Sequence, residues 1–143
     1  MIYIHYGATQ YNPELFKPVK NELYFVKPNG GLWASPVDTD IGWKDWCEQE
    51  DFRDCSESES FRFKLDDSAN VLIIDSVEQL LNLPKLESMS LSSWINLDFE
   101  RLVKDGIDAI QVNISNDYDL YYKLYGWDCD SILIMNKDMI QEM

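Results

Sequence analysis

Three short pieces of this 143-residue chain each carry one side chain able to do chemistry. They are residues 3–7 (YIHYG), 30–35 (GGLWAS) and 129–135 (CDSILIM). The first holds the only histidine, His5. The second holds Trp33. The third holds Asp130, an acid heading an apolar run. A histidine, an aromatic and a carboxylate suit cleavage of a glycosyl bond. That reaction builds positive charge on a sugar carbon, and a carboxylate beside the developing oxocarbenium ion lowers the barrier. An aromatic ring can stack on a flat leaving group, and a histidine can hydrogen-bond a sugar hydroxyl. Each residue also has a plainer role: a hydrogen-bonded histidine at a strand end, a core tryptophan, a strand-edge aspartate. Asp128 rivals Asp130, because residues two apart share a face of an extended chain.

The elements that must position these residues follow from pattern. Residues 1–5 are β-branched and aromatic and read as an opening strand, and 22–26 as a second short one. Residues 27–31 are a loop by composition, and 32–35 leave it extended. Asp38, Thr39 or Asp40 can cap a helix running to about residue 50, with Trp43, Trp46 and Cys47 along one side as its core face. Residues 51–60 read as a solvated loop. Residues 61–65 alternate strictly, as a half-buried strand does, and 71–74 form a continuous apolar run. Ser76 and Gln79 form a capping box for a short helix ending before Pro84. Residues 85–96 are a serine-rich connection. Asp98 caps a helix to residue 104, stopped by Gly106. Residues 107–114 alternate, 120–124 hold a turn of helix, 132–135 are the last strand, and 138–143 are a tail. Many short strands without regular βαβ alternation indicate an α+β fold in one domain spanning residues 1–143.

Charge narrows the function classes. The net charge is -14. It is uneven: up to Pro36, three lysines face two glutamates, a net of +1, and beyond it nine basic residues face 24 acids, a net of -15. Such a chain repels nucleic acid and anionic membranes at long range, yet its first stretch can accept a diphosphate. Lys17, Lys20 and Lys27 read as solvated, or as point-charge contacts to phosphate. Three cysteines without CxxC spacing indicate reduced thiols in the cytoplasm. One histidine and no cysteine pair argue against a structural metal site. No run is long enough to span a membrane, and the P-loop, GxGxxG and Ser-His-Asp patterns are missing.

In order along the chain, the pieces resemble the ADP-ribosyltransferase-like superfamily, in its diphtheria-toxin and poly(ADP-ribose) polymerase branch. Ile4-His5-Tyr6-Gly7 is similar to that branch's first strand, which ends in His-Gly, with Tyr6 inserted. Gly31-Leu32-Trp33-Ala34 is similar to its Gly-Ile-Tyr-Phe-Ala strand, with Trp33 at the tyrosine. Lys44-Asp45-Trp46-Cys47 falls where a helix with Asn-Tyr-Cys is expected. Asp130-Ser131-Ile132-Leu133 is similar to a final Glu-Tyr-Ile-Val strand, with an acid one carbon, about 1.5 Å, shorter.

The resemblance implies split antiparallel β-sheets with a few flanking helices. It implies NAD as co-substrate, held by His5, Tyr6, Gly7, Gly31, Trp33 and Ser35 in a cleft between the sheets. In that scheme His5 holds the adenosine ribose and Gly7 the carboxamide. Trp33 stacks on nicotinamide, and Asp130 stabilises the oxocarbenium ion. The activity implied is transfer of ADP-ribose to a macromolecular acceptor, a protein rather than a nucleic acid, or hydrolysis of NAD. The alternative is a catalytically inactive module of the same fold whose acidic surface engages a basic or nucleic-acid-binding protein partner.

Overall fold

The computed structural model describes residues 1–22, 26–52, 55–86, 94–124 and 126–143. Seven strands form one sheet. They are β1 (Tyr3–Tyr6), β2 (Leu32–Pro36), β3 (Ser60–Leu65), β4 (Val71–Ile74), β5 (Ala109–Val112), β6 (Ser131–Ile134) and β7 (Ile140–Glu142). Among the described residues four α-helices accompany them: α1 (Trp43–Gln49), α2 (Val77–Leu80), α3 (Phe99–Lys104) and α4 (Asp119–Lys123). The architecture is mixed α+β.

The strand order is β4-β5-β6-β2-β1-β3-β7. All pairs are antiparallel except β4 and β5. That parallel pair needs a crossover, which α2 and α3 supply. The strands therefore join continuously, in place of the two separate antiparallel sheets expected. A partial split survives inside the sheet, between β1 and β2.

The burial pattern follows strand position. β5 and β6 lie inside the order and are buried along their whole length; β6 reads as an apolar run from Ile132, while the alternation of β5 places Gln111 in the interior as well. β3 alternates, with Phe61 and Phe63 buried and Arg62 and Lys64 exposed. On one face of the sheet, Ile110, Val112 and Leu133 pack with Phe99, Leu102, Leu120 and Trp127 from the helical side. On the other, Tyr3, Phe63, Ala109, Ile132 and Ile134 form a second cluster. The Tyr3 hydroxyl donates to Gln111 Oε1 at 2.7 Å there, satisfying a polar pair within apolar surroundings.

Local signals act largely as the sequence implies. Asp98 Oδ1 accepts from Arg101 N, capping α3. Gly106, at φ +91°, follows its end. Gln79 Oε1 accepts from Ser76 N at the start of α2.

Several elements differ from expectation. The run 107–114 shortens to β5, with a 3₁₀ turn at Ile114–Asn116, and the loop 51–60 holds a 3₁₀ turn at Glu57–Glu59. α1 starts later than Asp38–Asp40, with Gly42 as its N-cap and Asp45 Oδ2 accepting from Gly42 N. The Thr39 hydroxyl is engaged elsewhere, at Asp130. Residues 138–143 are no tail: a 3₁₀ turn, Lys137–Met139, leads into β7, which pairs with β3. A three-residue edge strand has too short a pattern to announce itself. Of the expected strand at 22–26, residues 23–25 lie outside the described residues, as do 87–93 of the 85–96 connection.

Candidate functional site

The site originates in an interrupted ladder. β1 and β2 pair only at Tyr3↔Pro36 and Ile4↔Ser35. On its other side β1 stays paired to β3 through Tyr6, and β2 stays paired to β6 from Leu32 to Ala34. Beyond Ile4 the two strands part. This leaves backbone groups that must find other partners. His5 fills one vacancy: its Nδ1 lies 2.6 Å from the Trp33 carbonyl oxygen. The carbonyl oxygen can only accept, so Nδ1 is the donor in this contact.

A cavity of about 310 Å³ opens in this split. His5 and Tyr6 reach it from β1, and Trp33 from β2. Asp128, Cys129 and Ser131 reach it from the head of β6, Lys27 from the loop before β2, and Trp43 from α1. A second hollow of about 190 Å³ shares Ile4, Tyr6 and Trp43 with it and adds Lys44 and Arg62.

Trp33 is held from behind by Trp127, edge-on at 4.7 Å between ring centroids. Trp127 in turn lies parallel to Phe99 at 6.4 Å. The indole face toward the cavity is covered by Lys27, whose Nζ stands 4.6 Å from the Trp33 centroid and 5.8 Å from that of Trp43. A desolvated ammonium over an aromatic face is stabilised by on the order of 2 kcal/mol. Burial pulls the Lys27 pKa down, while Asp128 and then Cys129 oppose that. Burial also raises the pKa of Asp128, against the pull of Lys27 and with a small push from Glu50. Among the described lining residues Asp128 is the one carboxylate.

Of the expected trio, His5 and Trp33 meet. Asp130 does not line this cavity. It is 4% exposed, and its carboxylate accepts from the Thr39 hydroxyl (2.6 Å), Ser115 N (2.9 Å) and the Ser115 hydroxyl (2.7 Å). Its own N–H donates to the Ile41 carbonyl at 2.8 Å. Asp130 thus ties β6 to the entry of α1 and to the turn after β5. Asp128 and Asp130 were expected to share a face. The chain bends over residues 129–130, so the alternation of an extended strand does not reach back to them.

The expected NAD contacts divide similarly. Tyr6 lines the cavity, and burial followed by Glu57 raises its pKa. Gly7 is exposed and its N–H donates to the Glu59 carbonyl at 2.8 Å, so that donor is committed to β3's approach. Gly31 serves close packing: at φ +72°, a Cβ there would lie 2.5 Å from Leu133 Cδ1 and 2.9 Å from the Ile134 carbonyl oxygen. Ser35 is buried, and its Oγ accepts from Trp43 N at 2.9 Å, fixing the start of α1.

Trp43, Cys129 and Ser131 line the cavity without having been read as site residues, and Lys27 joins them. Lys27 read as solvated or as a point-charge contact to phosphate, and Trp43 as the core face of a helix. In fact Trp43 stacks on Trp46 at 5.3 Å and borders the cavity. Burial pushes the Cys129 thiol up to about 12, which disfavours the thiolate form that attack requires. Among the described residues, no group of three or more His, Cys, Asp or Glu is placed to hold a metal ion. No helix there is long and apolar enough to cross a membrane.

No family model matches the chain, and comparison with curated proteins and with solved structures gave no significant match.

Proposed function

We propose that the split between β1 and β2 binds NAD, and that Asp128 rather than Asp130 serves as the acid in cleavage of its nicotinamide bond. The ADP-ribose would pass to a macromolecular acceptor or to water. The observation that carries this is the meeting of His5 and Trp33, 28 residues apart in sequence, at the mouth of one cavity. At about 310 Å³ the cavity is at the small end of ordinary ligand pockets. It suits the nicotinamide half of the dinucleotide, with the remainder toward the adjoining hollow. A ribose hydroxyl can hydrogen-bond Asp128, whose ionised form opposes the positive charge that develops on the anomeric carbon. Phosphate oxygens can take up the Lys27 charge.

Incubation with NAD followed by chromatographic measurement of free nicotinamide tests the reaction. Release is expected from the unaltered protein and at least about a hundredfold slower release from Asp128→Asn, the scale of losing a key charge in a transition state. Equal release by both proteins would remove Asp128 from the chemistry.

A second reading rests on a specific observation. Lys27 holds a positive charge on the aromatic face beside the site where positive charge would develop, which favours binding over cleavage. On this reading the domain binds a ligand without turnover, and NAD would bind with no nicotinamide released.

A further inference from the structure

We infer that Lys27 is a displaceable occupant of the stacking face of Trp33, and that it makes the cavity select ligands that join a planar ring to a phosphate. The inference rests on the nucleotide-binding reading above and adds the residue that sets specificity. Stacked ring centroids lie about 4.5–7 Å apart. Lys27 Nζ stands 4.6 Å from the Trp33 centroid, inside that range. A ligand ring and the ammonium therefore compete for one volume.

The stem of Lys27 is packed as well as its tip. Its Cγ, Cδ and Cε run past Gly126, at 3.5–3.7 Å from where a Cβ would stand, an ordinary packing distance. When a ring enters, the ammonium must leave the indole without leaving the half-buried cavity. A phosphate on the same ligand provides an anionic partner for its three donors. Asp128, the neighbouring carboxylate, already attracts Lys27 without ligand, and on the reading above it is engaged by the ligand's ribose, so it offers the displaced ammonium no new partner. A ring without phosphate thus displaces a stabilised cation and gives it little in return. A cationic pyridinium ring without phosphate fares worst, since it meets a like charge.

Nicotinamide riboside and nicotinamide mononucleotide share a cationic ring and differ by one phosphate. Their affinities are to be measured by titration calorimetry for the unaltered protein, Lys27→Met and Lys27→Arg. Methionine keeps an apolar stem against Trp33 and Gly126 and removes the charge. The expected result for Lys27→Met is mononucleotide binding weakened about tenfold and riboside binding tightened severalfold, two shifts of opposite sign. Lys27→Arg is expected to keep the preference for the mononucleotide. Shifts of the same sign and size for both ligands in Lys27→Met, or loss of the preference in Lys27→Arg, would overturn the role of Lys27 while leaving nucleotide binding intact. Failure of the unaltered protein to bind either ligand would overturn both this role and the reading beneath it.

Discussion

Trp127→Ala is expected to lower folding stability by about 3–5 kcal/mol, the usual cost of truncating a buried large aromatic. Trp127 is 1% exposed. Its ring joins Phe99 of α3 to Trp33 of β2, so one truncation opens a void between the helical layer and the sheet. Domains of this size are commonly stable by about 5–15 kcal/mol, and urea denaturation should show a large fall in midpoint. Trp127→Phe provides the contrast. The indole Nε1 is buried without a hydrogen-bond partner among the described residues, so phenylalanine forfeits packing volume but no hydrogen bond. Its expected cost is smaller than that of alanine, because the void left is smaller. An alanine variant as stable as the parent would mean that Trp127 does not brace the sheet.

Asp130→Ala is expected to act on folding rather than on ligand chemistry. Three donors converge on its carboxylate: the Thr39 hydroxyl, and the Ser115 N–H and hydroxyl. Hydroxyls can turn to other acceptors, but a backbone N–H cannot, and a hydrogen bond to a charged acceptor is worth about 1.5–3 kcal/mol. A loss of about 3 kcal/mol is expected, measured again by urea denaturation. At denaturant-free conditions the residual folded protein should still bind NAD. A variant with parental stability that has lost NAD binding would return Asp130 to the binding site.

These two residues mark how far sequence carries. Strands at 61–65 and 71–74 were legible because β-branched and aromatic residues crowd short windows bounded by turn formers. The caps Ser76 and Asp98 were legible because a polar side chain before an apolar run has few other local uses. Strand order was not, since it is set by contacts distant in sequence. β6 pairs with β5 and β2, and β7 returns to β3, arrangements that no local window contains.

At the site, His5 and Trp33 were legible as the chemically useful residues of two strand edges. Choosing between Asp128 and Asp130 was not possible, because the bend at 129–130 decides which acid faces the cavity. Once the strand proper begins, Ser131 lies in the cavity wall while Ile132 enters the opposite core, as strict alternation demands. Lys27 was legible only as the lesser of two readings, for another reason. Lysine is ordinarily a surface residue, and its burial depends on Trp33, Trp43 and Gly126 arriving from three separate segments. A local signal did exist, in that Lys27 sits in the one stretch of the chain that is not strongly acidic.

The most direct measurement is titration of the unaltered protein with NAD, followed by calorimetry, alongside Trp33→Ala. Saturable one-to-one binding with a dissociation constant below about 1 mM, the upper end of ordinary substrate affinities, is expected for the parent. At least about a tenfold weakening is expected for a folded Trp33→Ala, by loss of the stacking surface. No saturable binding by the parent, or equal binding by both proteins, would contradict a nucleotide site in the split between β1 and β2.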